Sequence, residues 1–217
     1  MRASQHRCAR RHVTARGFTL IELMVAIALL GLLITLAIPS FTGWIRNSQI
    51  RTVAEALQTG VRAAQAESVR RNRQVVMWFT DGDPSTGSAP AIGGKNWGLQ
   101  TVAQFGETAE YITGGKLVDI ASAVLIANDM SSNAICFNSA GRLVANSSTT
   151  GITGADCQVP ASPATAATFN ITLTGADRPL RVLVQLGGQL RMCDPDATST
   201  PMRRIRKAHL HHATAEH

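Results

Sequence analysis

A carboxylate, Glu22, stands at the head of a long uncharged run, Leu23 to Ile38, and four residues after Phe18. A carboxylate on an otherwise apolar helix costs about 2.5–3.5 kcal/mol on membrane-insertion scales, so it normally has a cationic partner. The peptide bond after Gly17 offers one. If that bond is cut, the new amine of Phe18 is a cation in the same layer as Glu22. The Glu22 carboxylate of one copy then neutralises the Phe18 amine of its neighbour and holds the two in axial register. The competing reading is a Glu at a membrane interface, solvated by headgroups.

The surroundings of these residues decide what positions them. Phe18 to Ile38 is 21 residues, enough at a rise of about 1.5 Å per residue to cross a hydrocarbon core of roughly 30 Å. Residues 1–17 carry five Arg (Arg2, Arg7, Arg10, Arg11, Arg16) and no acid. The positive-inside bias therefore keeps them cytoplasmic and exports the rest. An ordinary secretory signal is cleaved after its apolar run; here Gly17 precedes the run, which stays with the mature chain. Pro39 lacks the N–H that would bond to Thr35 and its ring crowds that carbonyl, so the helix is expected to kink or loosen there. Gly31 weakens the intervening turns.

Gly17-Phe18-Thr19-Leu20-Ile21-Glu22, behind a basic leader and before a long apolar helix, resembles the processing site of type IV pilins and of the pseudopilins of type II secretion. The resemblance implies cleavage after Gly17 by a prepilin peptidase, N-methylation of Phe18, and assembly through Glu22. Gly31 and Pro39 resemble the positions where helices of that family lose order in a filament.

Past Pro39, Phe41, Trp44, Ile45, Val53, Leu57, Val61 and Ala64 recur mostly at three- and four-residue intervals, which predicts an amphipathic helix reaching Arg71. Arg46, Arg51, Arg62, Arg70, Arg71 and Arg73 lie mostly off that stripe and read as a solvated face, with a binding role as the rival. From Gln74 the pattern changes to period two. Strands are predicted at 74–80, 97–102, 134–138, 142–145, 168–174, 180–186 and 189–193, and loops at 81–95 and 146–167. The expected fold is α+β and pilin-like: a long N-terminal helix, membrane-spanning in its first half, packed on an antiparallel sheet domain. The expected divisions are 1–17 leader, 18–39 spanning helix, 40–73 its continuation, 74–195 β-rich domain and 196–217 basic tail. Ile135-Cys136-Phe137-Asn138, Gly141-Arg142-Leu143 and Gly188 to Pro195 look most like the GspH/FimT branch of minor pilins and pseudopilins.

The chain has 21 Lys and Arg against 14 Asp and Glu, a formal +7. Beyond residue 17 the balance is 16 to 14, which argues against a broad nucleic-acid-binding face, so any such role rests on local patches. Some FimT-type pilins bind DNA through a stretch resembling Gly-Arg-x-Arg. The matching Gly188-Gln189-Leu190-Arg191 keeps one of the two Arg, while Arg203, Arg204, Arg206 and Lys207 form a compact cluster downstream. A solvated basic tail is the alternative.

With Cys8 in the leader, Cys136, Cys157 and Cys193 favour one disulfide and one thiol in an oxidising compartment. The expected pair is Cys136–Cys193, both at ends of predicted strands, with Cys157 as the alternative partner. His209, His211, His212 and His217 crowd the C-terminus without defining a geometry, so no metal site is expected, and no cofactor. Asp81-Gly82-Asp83 lacks the following Glu of a calcium loop and reads as a turn. There is no phosphate loop, nucleophile elbow or zinc-protease motif. The expected partners are other pilins or pseudopilins, prepilin peptidase, the inner membrane and DNA. A tethered enzyme is the other-class alternative.

Overall fold

The computed structural model describes residues 18–104, 106–147, 152–162 and 164–197, and leaves out the side chains of Leu36, Ala37, Pro39 and Ser40. Among the described residues one helix, α1 (Leu20–Arg70), precedes nine strands: β1 (Val75–Thr80), β2 (Asn96–Thr101), β3 (Tyr111–Lys116), β4 (Val124–Asn128), β5 (Ala134–Phe137), β6 (Leu143–Val144), β7 (Ala166–Leu173), β8 (Leu180–Gln185) and β9 (Leu190–Cys193). The chain divides into two compact units, Met1–Thr42 and Gly43–His217.

α1 keeps a helical backbone through Gly31 and Pro39. Among the described residues no helix is long and apolar enough to cross a membrane.

In the second unit α1 buries Ile50, Val53, Ala54, Leu57, Val61 and Ala64. The core-facing stripe therefore starts at Ile50, and the predicted members Phe41, Trp44 and Ile45 are exposed. The helix stops in a C-terminal cap. The Asn72 N–H bonds to the Val69 carbonyl at 3.2 Å and the Arg73 N–H to the Ser68 carbonyl at 3.1 Å. Asn72 takes the left-handed conformation (φ 50°) that this cap requires and that Asn tolerates better than most residues.

All strand pairs are antiparallel. They form a five-stranded sheet, β3-β2-β1-β5-β6, and a four-stranded sheet, β4-β7-β8-β9. Val75, Met77, Phe79, Leu99, Ile135 and Phe137 of the first sheet join Ala167, Phe169, Ile171, Val182 and Val184 of the second and the helix stripe in one core. On the other face of the first sheet, Val76, Trp78, Cys136, Ile152, Ala155 and Cys157 form a second buried cluster. β1 is therefore buried along its whole length, on both faces.

Strands β3 and β4 fall outside the predicted set. In β3, Tyr111-Ile112-Thr113-Gly114-Gly115-Lys116, the glycine pair reads as a turn by itself. The strand needs glycine at both positions, because a Cβ on Gly115 would meet the Trp97 ring at 2.6 Å and one on Gly114 would meet Pro84 at 2.6 Å. Trp97 and Pro84 fill the space where side chains would stand.

Candidate functional site

α1 begins in a capped turn. Thr19 Oγ1 accepts the Glu22 N–H at 3.3 Å, and the Thr19 carbonyl accepts the Leu23 N–H at 3.2 Å. Thr19 is thus the N-cap and Glu22 the third helical residue, the Thr-x-x-Glu spacing of a capping box. Its carboxylate lies in the first turn, where the helix dipole favours an anion. Sequence reasoning gave Glu22 an assembly role and missed this local one, although Thr19-Leu20-Ile21-Glu22 carries the signal. Phe18 is 83% exposed.

From Leu20 to Ile34 the large apolar side chains of α1 are all at least half exposed, on every side of the helix. A helix that is apolar all round needs an apolar surrounding to be stable. Gly31 belongs to this surface, with open space where a Cβ would stand. Thr35 turns its Oγ1 inward to the Leu32 carbonyl at 2.8 Å, hiding its donor from the same surface.

Four of the six arginines read as a solvated face are ion-paired. Arg51 pairs with Glu55, Arg70 and Arg71 share Glu67, Arg71 also reaches Glu110 at 2.5 Å, and Arg73 reaches Glu107 at 2.7 Å. Arg73 Nη2 donates to the Val102 carbonyl at 2.9 Å as well. These contacts tie the β2–β3 connection to the helix end. Hydrogen bonds from Arg70 and Arg71 hold the Glu67 carboxyl down at about 2, and the same bonds push both guanidinium pKa values up.

The disulfide joins Cys136 to Cys157, with Cα atoms 5.6 Å apart, and corrects the expected Cys136–Cys193 pair. Cys136 sits on β5, buried in the cluster on the face away from the helix, whereas Cys193 is a half-buried free thiol on β9 of the other sheet. Cys157 reaches Cys136 because it forms bridges with Ala134 and Asn146, which press its loop onto the first sheet.

Arg191 is exposed on β9, facing Leu183 across the strand pair. The Gly188 that opens its motif has φ +86°, and a Cβ there would run into the Gln65 amide and the Gly141 carbonyl. That glycine serves the turn. Gly17, Arg203, Arg204, Arg206, Lys207 and the C-terminal histidines lie outside the described residues. Among the described residues no cluster of His, Cys, Asp and Glu has the geometry to hold a metal ion.

Residues 14–38 match the family model described as the prokaryotic N-terminal methylation motif. The chain is 36% identical over 93 residues to a fimbrial protein of Moraxella nonliquefaciens, covering 41% of this chain and 54% of that one. It thus spans about half the length of that relative. Over 122 residues it is 30% identical to the type IV major fimbrial protein FimA of Dichelobacter nodosus, covering 46% of this chain and 78% of the relative. Among solved structures it resembles the type IV minor pilin FimU of Pseudomonas aeruginosa, with a TM-score of 0.47 and 16% identity over 69% of this chain and 94% of that one. The likeness to FimU is one of outline only. The FimA match, at 30% identity over more than two thirds of the relative, shows that the chain belongs to the type IV pilin family, a family of structural subunits.

Proposed function

We propose that the chain is a minor pilin-like subunit of the GspH/FimT branch, acting in assembly, in priming or at the tip of a bacterial type IV pilus. Prepilin peptidase cuts after Gly17 and Phe18 is methylated. The first half of α1 holds the chain in the inner membrane, with residues 1–17 cytoplasmic and the β-rich unit periplasmic, and then passes into a helical filament. The observation that carries this reading is the all-round apolar surface of α1 from Leu20 to Ile34, headed by the capped turn of Glu22. Such a surface is stable in lipid and equally among like helices. A head-to-tail contact that does not close produces an open helical polymer.

The same chemistry would serve a type II secretion pseudopilus. The type IV fimbrial names of the curated relatives favour the pilus. DNA capture during natural transformation is a narrower version of the role, supported by the exposed Arg191 together with the Arg203–Lys207 cluster. A gel-shift series tests it: duplex DNA retarded by wild type at low salt, and lost with Arg191, Arg203, Arg204 and Arg206 changed to Gln, is the expected result.

Intact mass of the membrane-extracted chain tests processing, with loss of residues 1–17 and one added methyl group expected. Residues 1–17 retained in a strain with working prepilin peptidase would overturn the reading. Deleting the gene then separates the two machines, because pili in sheared fractions should fall while exoprotein secretion persists.

A further inference from the structure

Trp44 is 69% exposed and its neighbour Ile45 is 48% exposed, and the two close the uncharged stretch that starts at Leu23, with Arg46 the next residue. A tryptophan where an uncharged apolar stretch meets its first charge matches the membrane-interface level at which tryptophan is enriched. An indole has an apolar body and one N–H donor, which suits a half-wet layer better than water.

A second element is held at the same level. Arg46 Nη1 donates to the Gly175 carbonyl at 3.3 Å, and Asn47 Oδ1 accepts the backbone N–H groups of Asp177 and Arg178 at 3.1 and 3.2 Å. These bonds fix the β7–β8 turn beside the helix one turn above Trp44 and leave the Arg178 guanidinium exposed.

We propose that Trp44, Ile45 and Arg178 form a contact with the phospholipid headgroup layer, used before the subunit enters a filament. The contact rests on the membrane reading above. The indole and Ile45 enter the layer, and Arg178 meets lipid phosphate. The β-rich unit is thereby held at the bilayer surface.

The protein carries its own reporter. Of its three tryptophans, Trp78 is fully buried and Trp97 is 8% exposed, so only Trp44 answers to its surroundings. The full chain is reconstituted into vesicles of phosphatidylcholine and phosphatidylglycerol, and flotation establishes that it is inserted. Lipids brominated near the headgroup should quench the exposed tryptophan more than lipids brominated at the chain end. Trp44→Phe should abolish that quenching, and Arg178→Glu should reduce it in anionic vesicles. Inserted chain whose Trp44 stays open to aqueous iodide and unquenched by lipid would overturn the contact while leaving the span intact. Quenching insensitive to Arg178→Glu would overturn the part given to the turn. Chain that does not float would overturn the span and the contact together.

Discussion

Gln65 on α1 and Gly188 in the β8–β9 turn are locked together through a shared neighbour, the Gly141 carbonyl. Gln65 Nε2 donates to that oxygen at 2.8 Å, and both atoms occupy the space where any side chain at residue 188 would begin. The helix, the β5–β6 turn and the β8–β9 turn meet there, so the junction joins both sheets to the helix.

Gly188→Ala should therefore destabilise the fold by about 2 kcal/mol or more, combining left-handed backbone strain with the clash. Gln65→Ala alone should cost about 1 kcal/mol for the lost hydrogen bond. Urea unfolding of the double variant should give less than the sum, because removing the amide frees room for the new methyl group. Strict additivity would show that the two residues do not share the space.

Gly60 should reverse the usual rule for helices. On an exposed helix Gly→Ala stabilises by about 1 kcal/mol. Here the added Cβ would meet the Trp97 ring at 2.7 Å, and overpacking costs about 1–3 kcal/mol. A lowered Tm and altered near-ultraviolet circular dichroism for Gly60→Ala are expected.

Cys157→Ser should cost about 3 kcal/mol, the value for a loop of some twenty residues. Cys193→Ser should change stability little. A non-reducing peptide map should recover Cys136 joined to Cys157, with Cys193 taking a maleimide.

Glu67 gives a pH signature. Its carboxyl is held down at about 2 in the folded state, so its ion pairs add stability above the ordinary carboxylate range and lose it as pH falls toward 2. Because Arg70 is well exposed, the contribution is about 1 kcal/mol or less. Glu67→Gln should flatten the stability profile between pH 5 and about 2 and leave the rest unchanged. Equal acid sensitivity of both proteins would assign it to other carboxylates.

Period-two patterning marked β7 and β8, because each buries one face, while β1 was legible as a continuous apolar run that is buried on both faces. β3 was illegible for another reason: what holds Gly114 and Gly115 to glycine is the bulk of Pro84, Tyr111 and Trp97, and no local pattern records that. The cysteine pairing failed alike, since choosing between Cys157 and Cys193 requires knowing that β5 and β9 belong to different sheets. Phe41, Trp44 and Ile45 fitted the helical period perfectly well, but period alone does not say whether protein or another surrounding covers the stripe. At the N-terminus, Gly17 to Glu22 was readable because its chemistry is local to a single turn.

The strand edges bear on how such a subunit tolerates crowding. β6 has two residues, and its Leu143 N–H is already taken by the Leu186 carbonyl. β9 has four and is followed closely by Pro195. On β4, a Cβ at Gly93 would come within 3.1 Å of the Ile126 carbonyl, and β3 combines two glycines with a terminal lysine. The short β6 and β9 and the lysine that ends β3 are devices by which sheet proteins avoid fusing edge to edge. Among the described residues these edges give copies packed shoulder to shoulder little template for pairing strand to strand.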